Sequence, residues 1–252
     1  MAPHPRHEQI LDVLHREGRV EVAELAALLA ASEVTIRRDL DQLALTGVLR
    51  RVHGGAVSTL LRGEGQPYAM REPDAAAVKA RMAAAAQALL VQGEAVVLDS
   101  GTTGEAVARA LRPRRLTVMP FSIQAIAALA GAPEITLHLP GGTVRPEEGS
   151  VVGPLAESAL RDLRFDTAII SCCAASAGDG LLAYDLQDAA VKRGMIASSR
   201  RVIAVAEGAK FRRSAMAVIC ALDTLDVLIT DAAAPPEALE ELRAAGVEVI
   251  VV

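Results

Sequence analysis

Seven short apolar runs, AVVLD (95–99), LTVMP (116–120), ITLHL (135–139), DTAIISC (166–172), RVIAVAE (201–207), DVLITD (226–231) and VEVIVV (247–252), are separated by stretches with helical spacing. No other feature constrains the fold as strongly. Runs that are apolar at nearly every position suit strands buried on both faces of a largely parallel sheet. The segments EAVARAL, IQAIAAL, LAESALRDL and PPEALEELRAAG supply helices to cover such a sheet, and DAAAVKARMAAAAQALL precedes the first strand as a strong helix former. Residues 74–252 are therefore expected to form an α/β domain.

The first 57 residues follow a different pattern. In RHEQILDVLHREG the residues Ile10, Leu11, Val13 and Leu14 recur at helical spacing, and Gly18 supplies a stop. VAELAALLA (22–30) places Val22, Leu25, Leu28 and Leu29 on one face, and Ser32 is a suitable N-cap for the next segment. That segment, EVTIRRDLDQLALTG, has Val34, Ile36, Leu40, Leu43 and Leu45 as its apolar positions. VLRRVHGGAV then alternates up to Gly54-Gly55 in the manner of a hairpin. Three short helices and a hairpin describe a winged helix-turn-helix over residues 1–57. The Gly-, Pro- and charge-rich stretch 58–73 has no sustained period and reads as a linker.

Composition narrows the functional classes. At 252 residues, 52% hydrophobic and 23% charged, the chain has ample material for packed cores and no case for wholesale disorder. Three cysteines cannot build a disulfide framework, and Cys172 and Cys173 are neighbours with no ligand spacing. The five histidines show no metal-ligand pattern, so neither metal nor cofactor is expected. No run reaches about 18 apolar residues and the first residues lack signal-peptide order, which points to a cytoplasmic protein. Net charge is −5, and aromatic residues are 2% with no Trp, so stacking on single strands is not the expected binding mode.

Charge is nevertheless segregated along the first 57 residues. Seven arginines stand against eight acidic residues, five of them before residue 30, while Arg37-Arg38 and Arg50-Arg51 come as pairs followed by His53. In a helix-turn-helix, the start of the third helix reaches base edges or phosphates. Ser32, Thr35, Arg37 and Arg38 are the candidates there, with Arg50, Arg51 and His53 on the wing, since a guanidinium grips guanine or phosphate through a planar fork. A second reading stays open, in which these arginines pair with Asp39 or Asp41 on a solvated face.

A phosphate site also makes sense in the α/β domain. Asp99-Ser100-Gly101-Thr102-Thr103 follows the first strand and opens a helix, where backbone N–H groups and hydroxyls surround an anion or merely cap the helix. Gly141-Gly142 with Arg145 forms a second loop at a strand end, and such loops converge where open α/β sheets bind ligands.

The sequence from HEQILDVLHREG to RVHGGAV resembles the winged helix-turn-helix of the DeoR family of bacterial transcription regulators, with TIRRDL and RVHGGA as its most specific pieces. LDSGTT (98–103), PGGTVR (140–145), DLQDAAVKRGMI (185–196), EGAKF (207–211) and DVLITD resemble that family's sensor domain. The resemblance implies a repressor of sugar or related carbon metabolism genes whose sensor is similar to the ribose-5-phosphate isomerase and coenzyme A transferase fold. It further implies a homo-oligomer, dimer or tetramer, that binds double-stranded operator DNA and a phosphorylated sugar or similar small anion. Onto the effector site it carries Asp99, Ser100, Gly101, Thr102, Thr103, Ser122, Gly141, Gly142, Arg145, Asp185, Lys192 and Lys210. Local readings compete: Lys192 pairs with Asp188 at i,i+4, Lys210 neutralises Glu207, and Asp99 fixes its own loop. The chain departs from the family at Met119-Pro120-Phe121-Ser122, where an aromatic ring replaces a polar amide and a sugar-hydroxyl contact is expected to be lost, and at Ser171-Cys172-Cys173-Ala174-Ala175-Ser176, where added side-chain volume is expected near a pocket mouth. The rival readings are an α/β sugar-phosphate isomerase or transferase with a helical appendage, in which Asp99, Asp185 or Glu207 with Lys210 does acid–base work, and a protein-binding adaptor.

Overall fold

The computed structural model describes residues 5–45, 47–58, 68–71 and 75–252. The chain divides into two compact units, 1–74 and 75–252.

In the first unit, α1 (Pro5–Glu17), β1 (Arg19–Glu21), α2 (Val22–Leu28), α3 (Glu33–Leu45), β2 (Leu49–Val52) and β3 (Gly55–Ser58) follow one another, and α4 (Tyr68–Arg71) comes later. Ile10 and Leu14 of α1, Leu25 of α2 and Ile36, Leu40 and Leu43 of α3 close a small core with Val20 and Ala56. The winged helix-turn-helix expected from periodicity is present. Two details differ. The wing has a third strand, because β1 pairs antiparallel with β3, opposite the β2–β3 hairpin. Leu28, Val34 and Leu45, counted from spacing among the apolar positions, are exposed at 62%, 62% and 89%. The core needs only the narrower stripe through Ile36, Leu40 and Leu43. Most of the linker expected at 58–73 lies outside the described residues.

The second unit runs α5 (Ala76–Ala88), β4 (Ala95–Leu98), α6 (Gly101–Leu111), β5 (Leu116–Pro120), α7 (Ile123–Leu129), β6 (Ile135–Leu137), β7 (Thr143–Val144), β8 (Val151–Val152), α8 (Pro154–Asp162), β9 (Phe165–Ile170), β10 (Ala174–Ser176), β11 (Gly180–Ala183), α9 (Leu186–Ala197), β12 (Ser199–Val205), β13 (Ala217–Cys220), β14 (Val227–Thr230), α10 (Pro236–Ala244) and β15 (Glu248–Val251). Seven strands form one sheet in the order β15-β14-β12-β9-β4-β5-β6, and every neighbouring pair is parallel. Each of the seven apolar runs supplies one of these strands.

Two cores explain why those runs carry no alternation. Val96, Leu98, Ile169, Ile203 and Ile229 pack with α5, α6 and α7 on one face. Val97, Ala168, Ile170, Ala204 and Leu228 pack with α8, α9 and α10 on the other. Both sides of each central strand are dry, so every position is apolar. Two small antiparallel assemblies, β10-β11-β13 and the β7–β8 hairpin, were not expected from sequence.

The topology fixes where chemistry gathers. From β4 the chain winds outward through β5 to β6, then returns to the other side of β4 as β9 and winds outward again. The order reverses between β4 and β9, and in open α/β sheets the crevice beyond the carboxyl ends at such a reversal is where ligands bind.

Candidate functional site

At the β4–β9 reversal, Asp99 follows the last residue of β4 and Ser171 the last residue of β9. Asp99 is 2% exposed. Its Oδ2 accepts hydrogen bonds from the Ser171 backbone N–H at 2.7 Å and the Ser171 hydroxyl at 2.9 Å, and also meets the ammonium of Lys192. Lys192 projects from α9 and reaches Asp188, one turn earlier, at 3.5 Å. Ser100 Oγ lies 3.5 Å from both Asp99 Oδ1 and Asp188 Oδ1. Residues from β4, β9 and α9 thus close one buried polar cluster.

The electrostatics follow from burial. Desolvation alone would push Lys192 down, but Asp188 and Asp99 hold its pKa above the usual lysine value. Burial pushes the Asp188 carboxyl up, against the pull of Lys192, and Asp99 adds to the rise. At the rim, Asp185 caps α9 by accepting from Asp188 N–H at 2.8 Å and pairs with Arg145 at 3.5 Å.

The remaining sensor candidates take separate positions. Gly101 adopts φ +80 at the start of α6, and Thr102 and Thr103 are buried in its first turn. A Cβ on Gly104 would lie 2.2 Å from the Asp99 carbonyl oxygen, so a glycine is what lets α6 start against β4. Ser122 is fully buried and caps α7, its Oγ accepting from Ala125 N–H at 3.2 Å. Gly141 and Gly142 are exposed before β7. Lys210 sits in the short 3-10 turn Gly208–Arg212 after β12 and is 8% exposed. Among the described residues its ammonium makes no hydrogen bond or ion pair. Glu207, suggested by sequence as its neutraliser, instead pairs with Lys79 of α5 at 3.8 Å.

The i,i+4 pairing of Lys192 with Asp188 read from sequence is present, whereas two contacts escaped sequence reasoning: the hydrogen bonds from Ser171 to Asp99, and the pairing of Lys79 with Glu207. Only three of the 26 Lys plus Arg residues are lysine, at 79, 192 and 210, and all three are buried. Of the segment expected to add volume at the pocket mouth, Cys172 belongs to the hydrophobic core, as does Phe121. Burial pushes the Cys172 thiol up to about 12. Among the described residues no His, Cys, Asp or Glu group is assembled to hold a metal ion, and no helix is long and apolar enough to cross a membrane.

In the first unit, Ser32 Oγ accepts from Thr35 N–H at 3.1 Å and lies 2.8 Å from Thr35 Oγ1, which starts α3. Arg37 pairs with Glu33 at 2.6 Å, while Arg38 is exposed with no partner among the described residues. Arg51 ties the wing to α3, reaching Asp41 at 2.8 Å and the Gly55 carbonyl at 2.7 Å. Arg50 and His53 are exposed on the wing. Asp39 faces inward, accepting from Arg6 at 2.5 Å and from His7 Nε2 at 3.2 Å.

Residues 6–60 match the DeoR-like helix-turn-helix domain and residues 74–232 the DeoR C terminal sensor domain. The chain is 34% identical over 250 residues to a putative aga operon transcriptional repressor of Escherichia coli O157:H7, covering 98% of this chain and 93% of that protein. It is 33% identical over 226 residues to a glycerol-3-phosphate regulon repressor of Haemophilus influenzae, covering 89% and 88%. Ribose 5-phosphate isomerase A from Methanocaldococcus jannaschii aligns over 52% of each chain at 15% identity and a TM-score of 0.39, too distant to carry an argument. With both domain models matched and relatives that regulate transcription, the isomerase or transferase reading is set aside. The chain belongs to the DeoR family of DNA-binding transcriptional regulators.

Proposed function

We propose that the chain is an operator-binding repressor whose α/β unit takes a small anionic metabolite, a phosphorylated sugar or close relative. The observation that carries this reading is Lys210. Its ammonium meets no carboxylate among the described residues, so it is free to grip an incoming anion without first giving up a partner. Lys192 does not serve as well, since Asp99 and Asp188 already face it. The N–H groups of the α6 start at Gly101, Thr102 and Thr103 belong to the same end of the sheet and suit an anion. A relative named for the glycerol-3-phosphate regulon supports a phosphorylated polyol as the class.

On the DNA side, Arg38 and the α3 start enter the major groove, and Arg50 and His53 lie along the backbone. Arg37 exchanges Glu33 for phosphate or base. A single short helix buries little surface, so two copies on two half-sites are expected. The metabolite acts only through unequal affinity for the two arrangements of the assembly, a coupling of about 1–3 kcal/mol.

The test is fluorescence anisotropy with duplex DNA from upstream of the protein's own gene against a scrambled duplex, at two salt concentrations, with and without a panel of sugar phosphates. Preference for the upstream duplex, altered by one metabolite in wild type and not in Lys210→Met, is the expected result. No preference at either salt overturns the operator reading, and an unchanged response in Lys210→Met overturns the site.

A further inference from the structure

Val34 is an apolar, β-branched side chain in the first turn of α3, and it is 62% exposed. At about 100° per residue, Ile36, Asp39, Leu40 and Leu43 point into the core, and Val34 points almost directly away from them. Arg37 and Arg38 flank it on that outward face. Nothing in the fold asks for valine there. Branching at Cβ lowers helix propensity, and an exposed position offers no packing in return. Leu45 shares the outward direction but lies roughly 16 Å further along the helix, at its far end. The N-terminal residues of such a helix are the ones that meet base edges.

We propose that Val34 reads the 5-methyl group of a thymine in the major groove, giving the protein a base preference that its arginines do not supply. The proposal rests on the operator reading above. Among the major-groove edges only thymine carries a methyl group, and an apolar side chain is the partner that distinguishes it. Arg38 beside it has five donors and no apolar end, so it suits guanine or phosphate. The outward face of α3 therefore offers two adjacent chemistries, a cationic fork and a methyl-sized apolar surface. Together they recognise a guanine next to a thymine better than either does alone.

Replacing one thymine at a time by deoxyuridine deletes only the methyl group. The full-length protein is titrated against the preferred duplex and each singly substituted version. For wild type, one position per half-site is expected to weaken binding roughly four- to tenfold, the worth of burying one methyl. Val34→Ala is expected to bind the thymine and deoxyuridine duplexes equally at that position, and Val34→Thr, which keeps one methyl, to retain part of the difference. The slope of log affinity against log salt is expected to match wild type in both variants, because no phosphate contact is removed. Indifference of wild type to every replacement overturns the proposal. So does a Val34→Ala penalty as large as that of wild type, or a uniform loss on all duplexes. Absence of any preferred duplex fails the operator reading, and this proposal falls with it.

Discussion

Each lysine ammonium of the protein meets different company. Lys192 meets the carboxylates of Asp99 and Asp188, Lys79 pairs with Glu207, and Lys210 meets no carboxylate among the described residues. Removing the first and the last should have unequal consequences. Lys192→Met leaves Asp99 and Asp188 facing one another in a dry site and is expected to cost about 3–5 kcal/mol in urea denaturation. Lys210→Met breaks no ion pair with a described residue and is expected to change stability by less than about 1 kcal/mol. Equal losses in the two variants would contradict this assignment. Lys192 and Lys210 were named because their motifs resemble those of the family's sensor domain, and of the two only Lys192 joins the polar cluster with Asp99 and Asp188. Ser171 was not, since its two hydrogen bonds reach Asp99 across 72 residues and nothing local announces them.

Helix α3 is held to α1 through Asp39. Burial alone would push this carboxyl up, but hydrogen bonds from Arg6 and His7 hold its pKa below the usual aspartate value. A group depressed in the fold contributes stability that is complete above its unfolded pKa and disappears as pH falls through the folded one. The difference in melting temperature between wild type and Asp39→Asn is therefore expected to be constant near neutrality and to shrink below about pH 4. A difference independent of pH would show that the clamp is not ionic. Where α6 meets β4, Gly104→Ala is expected to cost about 1–3 kcal/mol by equilibrium unfolding, because backbone, not a flexible side chain, blocks the new methyl. The seven central strands were legible because two cores make them apolar throughout. Strands β10, β11 and β13 were not, because AAS, GLLA and AVIC are short and their pairing is set by contacts distant in sequence, such as Leu182 with Val218.

At the scale of the whole chain, the two units divide the work. The wing's Arg50 lies far in sequence from the polar cluster of the sheet, so Arg50→Ala is expected to lower the salt slope of DNA binding by about one while the metabolite's affinity stays at its wild-type value. Titrations of the same preparation with duplex and with metabolite check both halves of that statement. The sequence expectation of 1–57 and 74–252 came from a change of hydrophobic period, from helical spacing with a hairpin to strand-and-helix alternation, and the compact units divide at 74/75.

Burial of all three lysines has a practical consequence. The folded surface offers amine-directed reagents little lysine side chain, since Lys79, Lys192 and Lys210 are 4%, 2% and 8% exposed. Acylation at Lys79 or Lys192, whose ammonium groups are held by carboxylates, followed by mass spectrometry, therefore measures how often the second unit opens. A bound anion over Lys210 should slow that residue's labelling first, which turns a scarcity in the composition into a built-in occupancy gauge.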